Sequence, residues 1–229
     1  MAAGRGMGRP VITTFLRKLP YFAPLSDQNL ETLAQQAIRR NFGPGALIYT
    51  EGSPSSGLWI LESGSVKACK LSASGDEYIL RIFGPGDTFN EIATLDRGPN
   101  PANAAAITSV TAWVIQTDVF HQVLAADCTL ALTILNGLAG RVRHLIVQVE
   151  DLALRSVTSR LARFLLEQVE NPALASPAVT RTLIASHLAT TPETVSRALR
   201  SLEEAGAIQF NRHQIIIVSA DLLREAAAL

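Results

Sequence analysis

Cysteine is scarce in this chain: of 229 residues only Cys69 and Cys128 carry a thiol, and none precedes position 69. So thin a supply fits a reducing, cytoplasmic setting. Net charge is missing as well, with 20 Lys and Arg set against 20 Asp and Glu. Attraction to a polyanion must therefore be local, and Arg155, Arg160, Arg163, Arg181, Arg200 and Arg212 are the residues able to create it. No unbroken apolar run reaches the roughly 20 residues that a bilayer span requires. The opening MAAGRGMGRP lacks the apolar core of a signal peptide. A cytoplasmic location without membrane contact is the expectation. Low-complexity sequence is confined to that opening arm and the alanine-rich tail.

Catalytic patterns are missing too. There is no phosphate-cradling Walker loop, Ser186 and His187 are neighbours on a helix and cannot form a nucleophile-base pair, and Glu91 with Asp96 has no evident partner for acid-base work. An enzyme is not expected.

What is present is a hydrophobic content of 48%, ample for two domains or one large one with a real core. Residues 42 to 116 read as short β segments punctuated by glycine: FGPGALIYTEG, SSGLWILESGSVKACKL, EYILRIFGPGDTF and ANAAAITSVTAWVIQ. Regular short strands with glycine turns predict a compact β sandwich or barrel. Gly64-Ser65 and Gly75-Asp76 read as hairpin turns.

The segment IASHLATTPETVSRALRSL, 184 to 202, reads as two helices joined by a tight turn. In the second, Val195, Ala198, Leu199 and Leu202 form a buried stripe at helical spacing, while Glu193, Ser196, Arg197 and Arg200 occupy the opposite face. By itself such a polar face is usually only solvated. Its residue types are nevertheless those that read a major groove: Arg donates two hydrogen bonds to guanine, Glu accepts from cytosine, and a hydroxyl serves several base edges. Thr191 is placed to cap this helix, with Pro192 at its first position, followed by Glu193 and Thr194 in the first turn. Gly206, the hairpin-like AIQF-NRH-QIIIV and the helical ADLLREAAAL complete the pattern of a winged helix-turn-helix. His187 and His213 lie in this module and are weak phosphate candidates.

Between the two regions runs a long apolar helix. Leu135, Val142 and Val149 repeat at seven residues, as do Leu138, Leu145 and Leu152, with Cys128 and Ala131 extending the register backwards. A core helix would show the same stripe. A reading helix that needs a two-fold partner tips the choice towards a homodimer seam. Residues 153 to 158, ALRSVT, would then be the hinge.

The order T-R-x-L-I-A-x-x-L followed by P-E-T-V-S-R-x-L-x-x-L-x-x-x-G, Thr180 to Gly206, resembles the Crp/Fnr superfamily of transcription regulators. The E-T-V-S-R version is similar to the fumarate-nitrate reduction and dissimilatory nitrate respiration branch. The resemblance implies an α+β chain with an N-terminal cyclic-nucleotide-binding-like β-roll, a long dimerisation helix and a C-terminal winged helix-turn-helix. The implied bounds are a flexible arm at 1–10, the roll with its flanking helices at 11–124, the dimerisation helix at 125–154 and the DNA module at 155–229. It implies a homodimer on a palindromic TTGA-type site, with Arg197 on the guanine, Glu193 on its partner cytosine and Ser196 on a thymine, and RNA polymerase as a further partner. Ala189 departs from the usual turn glycine, and Thr190 from an apolar residue.

The family's cyclic nucleotide site is expected to be lost. Asn90 stands where Gly precedes Glu91, Asn100 or Pro101 aligns with the phosphate Arg, and Leu145 and Ile146 replace Thr and Ser. Each unmet ligand polar group would cost on the order of 1 to 3 kcal/mol. Cyclic AMP is therefore not expected as effector. An iron-sulfur cluster is excluded by the missing N-terminal cysteines. Haem with a gas remains open, with His144 and His121 as axial candidates and Trp59 or Trp113 near the pocket. The alternative is a regulator with no effector, controlled by its abundance.

Overall fold

The computed structural model describes residues 9–73, 75, 77–170, 180–211 and 214–228. Two helices lead, α1 (Arg9–Lys18) and α2 (Asp27–Gln36), the second capped by Ser26, whose hydroxyl accepts from Asn29 N at 3.2 Å. Eight strands follow: β1 (Ile38–Phe42), β2 (Leu47–Tyr49), β3 (Leu58–Ser63), β4 (Val66–Leu71), β5 (Glu77–Phe83), β6 (Thr88–Phe89), then α3 (Glu91–Asp96), β7 (Asn103–Ala106) and β8 (Val110–Ile115). They form two antiparallel four-stranded sheets, ordered β1-β8-β3-β6 and β2-β7-β4-β5.

The unbroken apolar run LWIL in β3 has a physical reason. Trp59 and Leu61 point between the sheets, with Phe83, Phe89 and Val114, while Leu58 and Ile60 point the other way and pack with Trp113, Ile115, Leu16, Phe22 and Leu33 under the helices. Both faces of the first sheet are covered, so alternation disappears. Gly64 does not close a hairpin: β3 and β4 belong to different sheets, and the turn is a sheet-to-sheet corner. Its φ of 89° and the Ser109 carbonyl 2.2 Å from where a Cβ would sit require glycine. Gly75, by contrast, lies between β4 and β5, which do pair; Asp76 is outside the described residues.

After α4 (Thr117–Ala126) comes α5 (Cys128–Leu154), capped by Asp127, which accepts from Thr129 N at 2.9 Å and Leu130 N at 3.3 Å. Although no unbroken apolar run spans it, α5 is long and apolar enough by length and composition to cross a membrane. Arg141 and Arg143 sit in its middle, and Arg141 is ion-paired to the roll through Glu91. Its high hydropathy reflects a helix packed on one side by the roll and bare on the other.

The remaining elements are α6 (Val157–Glu170), α7 (Arg181–His187), α8 (Pro192–Glu204), β9 (Ile208–Phe210), β10 (Ile215–Ile217) and α9 (Ala220–Ala228). Leu161, Phe164, Leu165, Ile184, Val195, Leu199, Leu202, Ile208 and Leu223 form their core. That core does not end at the module. Cys69, Ile79 and Ile82, on the outer face of the second sheet, belong to the same buried cluster, so the helix-turn-helix docks on β4 and β5.

Candidate DNA-reading helix and effector pocket

The turn between α7 and α8 forms despite lacking glycine. Ala189 takes the left-handed conformation at φ 50°, and Thr190 N donates to Ala185 O at 3.0 Å. A left-handed alanine costs about 1 to 2 kcal/mol, which the packing of both helices has to offset. Thr191 then caps α8, its hydroxyl accepting from Thr194 N at 3.3 Å, with Pro192 in the first turn.

The two faces of α8 separate as the spacing predicts. Val195, Ala198, Leu199 and Leu202 are buried; Thr191, Glu193, Arg197 and Arg200 are exposed, and Thr194 and Ser196 are half-buried. Arg197 Nη2 donates to Thr194 Oγ1 at 3.2 Å, and Ser196 Oγ donates to the Pro192 carbonyl at 2.9 Å. Both groups are lightly held and can exchange those bonds for base edges. The Glu193 carboxyl is held below its ordinary range, first by its own backbone amide, then by the Thr191 side chain, and further by Arg197, so it is an acceptor at neutral pH.

Of the arginines expected to supply local charge, Arg200 is exposed on α8, on the face opposite the buried stripe. Arg181 instead stacks over Phe210 at 5.4 Å and donates to Asn211 O at 3.2 Å, bracing the wing. Arg155, Arg160 and Arg163 turn towards α5, and Arg212 and His213 lie outside the described residues. His187 is turned inward. Its ring packs on Phe164 at 5.0 Å in a cleft of about 60 Å³ shared with Tyr78, His144, Asp151 and Arg160. Burial, and secondly the nearby His144, lower its pKa to about 4, and its Nδ1 is buried without a hydrogen-bond partner.

In the roll, the expected effector residues split. Asn90 and Asn100 meet directly: Asn90, left-handed at φ 68°, donates from Nδ2 to Asn100 Oδ1 at 3.0 Å, with Ser55 Oγ at 3.1 Å and Gly57 O at 3.2 Å. Asn100 Nδ2 in turn donates to Thr50 O at 3.1 Å. Glu91, 3% exposed, accepts from Thr88 Oγ1 and from both terminal nitrogens of Arg141, one of them at 2.6 Å. Leu145 and Ile146, however, are 51% and 61% exposed on α5 and do not join this cluster. Arg141 was not singled out from sequence. It continues the stripe Leu130, Ile134 and Leu138 that faces the roll, and that spacing was the available signal.

Haem fits this site poorly. Phe89 stacks with Trp59 at 5.9 Å and Tyr49 at 6.2 Å and meets Phe83 at 5.3 Å, filling the interior. The two histidine candidates are elsewhere: His121 binds the Thr94 carbonyl through Nε2 at 2.8 Å, and His144 lines the cleft against the DNA module. Trp113 points away from the interior, its indole donating to Glu62 at 2.7 Å.

Along α5, Leu135, Val142, Leu145, Val149 and Leu152 are 44% to 66% exposed, as are Leu132 and Ile146 at 61%. Leu138 differs, being half-buried against its own roll. The bare stripe therefore includes Leu135, Val142, Leu145, Val149 and Leu152 of the expected alternation, with Leu132 and Ile146 beside them.

Residues 39–127 match the cyclic nucleotide-binding domain, and residues 159–226 match the Crp-like helix-turn-helix domain. The chain is 28% identical over 219 residues to the CRP-like cAMP-activated global transcriptional regulator of Mycobacterium tuberculosis, covering 93% of this chain and 98% of that one. Its fold is similar to that of FixK2 from Bradyrhizobium japonicum, with a TM-score of 0.75, 27% identity, and coverage of 84% and 98%. It also resembles the sensor domain of the transcriptional regulator DNR from Pseudomonas aeruginosa, with a TM-score of 0.56 and 27% identity over 60% of this chain and 93% of that one. With a nucleotide-binding-type roll joined to a Crp-like helix-turn-helix, the chain belongs to the Crp family of DNA-binding transcription regulators.

Proposed function

We propose that the protein acts as a homodimer that reads a palindromic TTGA-type site through α8, and that cyclic AMP is not its signal. The observation that carries the first part is α8 itself, a helix whose apolar stripe is buried while Glu193, Arg197 and Arg200 stand exposed. In this reading Arg197 takes the guanine, Glu193 its partner cytosine and Ser196 a thymine, while Thr191, Thr194 and Arg200 serve the flanking backbone. The likeness to the DNR sensor domain is in keeping with the nitrate respiration branch that the E-T-V-S-R sequence resembles. The apolar stripe of α5 supports a second copy as its cover, since so large an unpartnered face is unusual on a monomer. RNA polymerase is the expected protein partner.

A second reading, regulation through abundance without an effector, is favoured by a specific observation. Asn90 Nδ2 is bonded to Asn100 and Glu91 to Arg141, so these polar groups at the family's ligand position are engaged within the protein, while Asn90 Oδ1 is buried without a partner. The cyclic AMP named for the Mycobacterium tuberculosis relative is therefore not carried over. The test is selection of binding sites from random duplexes with purified, ligand-free protein, inspected first for a coloured cofactor. Inverted repeats of TTGA with TCAA are expected. Recovery of single, unrepeated sites, or of a dimer that survives Leu135→Asp with Val149→Asp in sedimentation, would contradict the proposal.

A further inference from the structure

We infer that Arg155 is a positioning residue for DNA reading, fixing the angle between the long helix and the helix-turn-helix module by gripping both with one guanidinium. The inference rests on the palindrome-reading dimer proposed above.

The chain passes from α5 to α6 through only Arg155 and Ser156. Arg155 leaves the helix in an extended conformation, φ −107° and ψ 146°, after its N–H has bonded the Asp151 carbonyl at 3.1 Å. A two-residue elbow of single bonds pivots unless it is braced; docking on β4 and β5 restrains the module from the side of the roll, and the link to α5 itself needs side chains. The Arg155 side chain supplies that brace on two sides. Towards α5, its Nε stands 2.9 Å from Asp151 Oδ1, an ion pair without hydrogen-bond alignment, and Nη2 is 3.9 Å from Glu150. Towards the DNA module, Nη1 donates to the Ala227 carbonyl at 3.0 Å and the Ala228 carbonyl at 3.3 Å.

Those carbonyls close α9, where a helix leaves acceptors without intrahelical donors and presents the negative end of its dipole, which a cation suits. Two neighbours complete the joint. Ser159 Oγ, buried, also donates to Ala227 O at 3.1 Å, and Arg163 Nε of α6 stands 3.3 Å from the other oxygen of Asp151. Because α9 and α8 share one core with α6 through Leu223, Leu161, Phe164 and Leu199, holding the end of α9 holds the reading helix. The planar fork of Arg can meet the carboxylate and the carbonyls at once, whereas the point charge of Lys cannot.

In a two-fold dimer α5 defines the axis, so the elbow angle sets where the two reading helices fall. Inserting one base pair between half-sites moves the second by about 3.4 Å and turns it by roughly 35° around the duplex. A braced elbow rejects that displacement; a loosened one follows it.

The experiment measures fluorescence anisotropy of the full chain on duplexes carrying the selected half-sites at the selected spacing, at spacings one base pair shorter and longer, and on random sequence. Wild type is expected to prefer the selected spacing by roughly tenfold. Arg155→Leu should narrow that preference to about threefold or less, leaving random-sequence affinity unchanged, and Arg155→Lys should not restore it. Ser159→Ala, which removes one bond to Ala227 without touching charge, should narrow it part-way and provides the test if Arg155→Leu does not fold. Equal losses at every spacing, or an unchanged preference in the variants, would show a purely structural role and overturn the inference. A wild type with no spacing preference would overturn the dimer reading itself and this inference with it.

Discussion

Asn90 Nδ2 donates to Asn100 Oδ1 at 3.0 Å, joining the N-cap of α3 to the loop before β7 across the position where the family's ligand phosphate is expected. Asn100 is 2% exposed and Asn90 7%, so this bond lies inside the protein. An anionic phosphate entering there would have to break it and would find no cation among these groups in return. Titration calorimetry with cyclic AMP should show no binding in the micromolar range, and DNA affinity should be the same with and without the nucleotide. Micromolar binding that Asn100→Ala abolishes would reverse the interpretation of this pair.

The Glu91–Arg141 pair is expected to be structural in weight. Glu91 is 3% exposed, and the Arg141 side chain 29%. Replacing Arg141 with Leu leaves a buried carboxylate without its cation, which typically costs about 3 to 5 kcal/mol for a fully buried pair and less here because Arg141 reaches solvent. Chemical denaturation of Arg141→Leu should show a loss on the order of 2 kcal/mol, with the double variant Arg141→Leu, Glu91→Gln recovering part of it. A double variant no better than the single would mean that the lost packing, not the stranded charge, set the cost.

Helix α8 and its two faces are legible in sequence because its two stripes obey one local period, and burial of Val195, Ala198, Leu199 and Leu202 follows from that period alone. The strands were legible as strands, but not their pairing: a glycine turn looks alike whether its flanks join one sheet, as at Gly75, or leave one sheet for another, as at Gly64. Contacts between distant segments were not legible. Arg141 meets Glu91 across 50 positions, and the apolar face Cys69, Ile79 and Ile82 meets a helix-turn-helix more than 80 residues later. Leu138 was assigned to the seam by its heptad position; the roll competes for it, a competition a repeat cannot reveal.

On α8, Arg197 and Arg200 should fail differently. Arg197→Ala is expected to cost about 1 to 3 kcal/mol on the selected site and to relax preference at the guanine, while Arg200→Ala should weaken selected and random duplexes alike and reduce the salt slope by about one. Competition binding at several salt concentrations separates the two. Equal losses on selected and random DNA for Arg197→Ala would remove it from base reading and leave it a phosphate contact.

His187 makes the docking of the DNA module acid-sensitive. Its pKa falls from an ordinary 6.5 to about 4 because burial, and secondly His144, disfavour the charged ring. The groups facing it in the cleft are Tyr78 from β5, His144 and Asp151 from α5, and Arg160, Arg163 and Glu167 from α6. Asp151 is committed to Arg155 and Arg163, and Glu167 has a partner of its own. A depressed histidine pKa means that the folded, docked state holds fewer protons than the unfolded one. Its contribution is therefore full above pH 6.5 and is lost progressively as pH falls from there towards 4. At pH 5 the loss amounts to about 2 kcal/mol. Urea unfolding at pH 7.5 and pH 5 should show this extra acid loss in the wild type and not in His187→Leu, the carboxylates common to both cancelling in the difference. If the two proteins lose the same stability between those pH values, His187 is not the group that titrates.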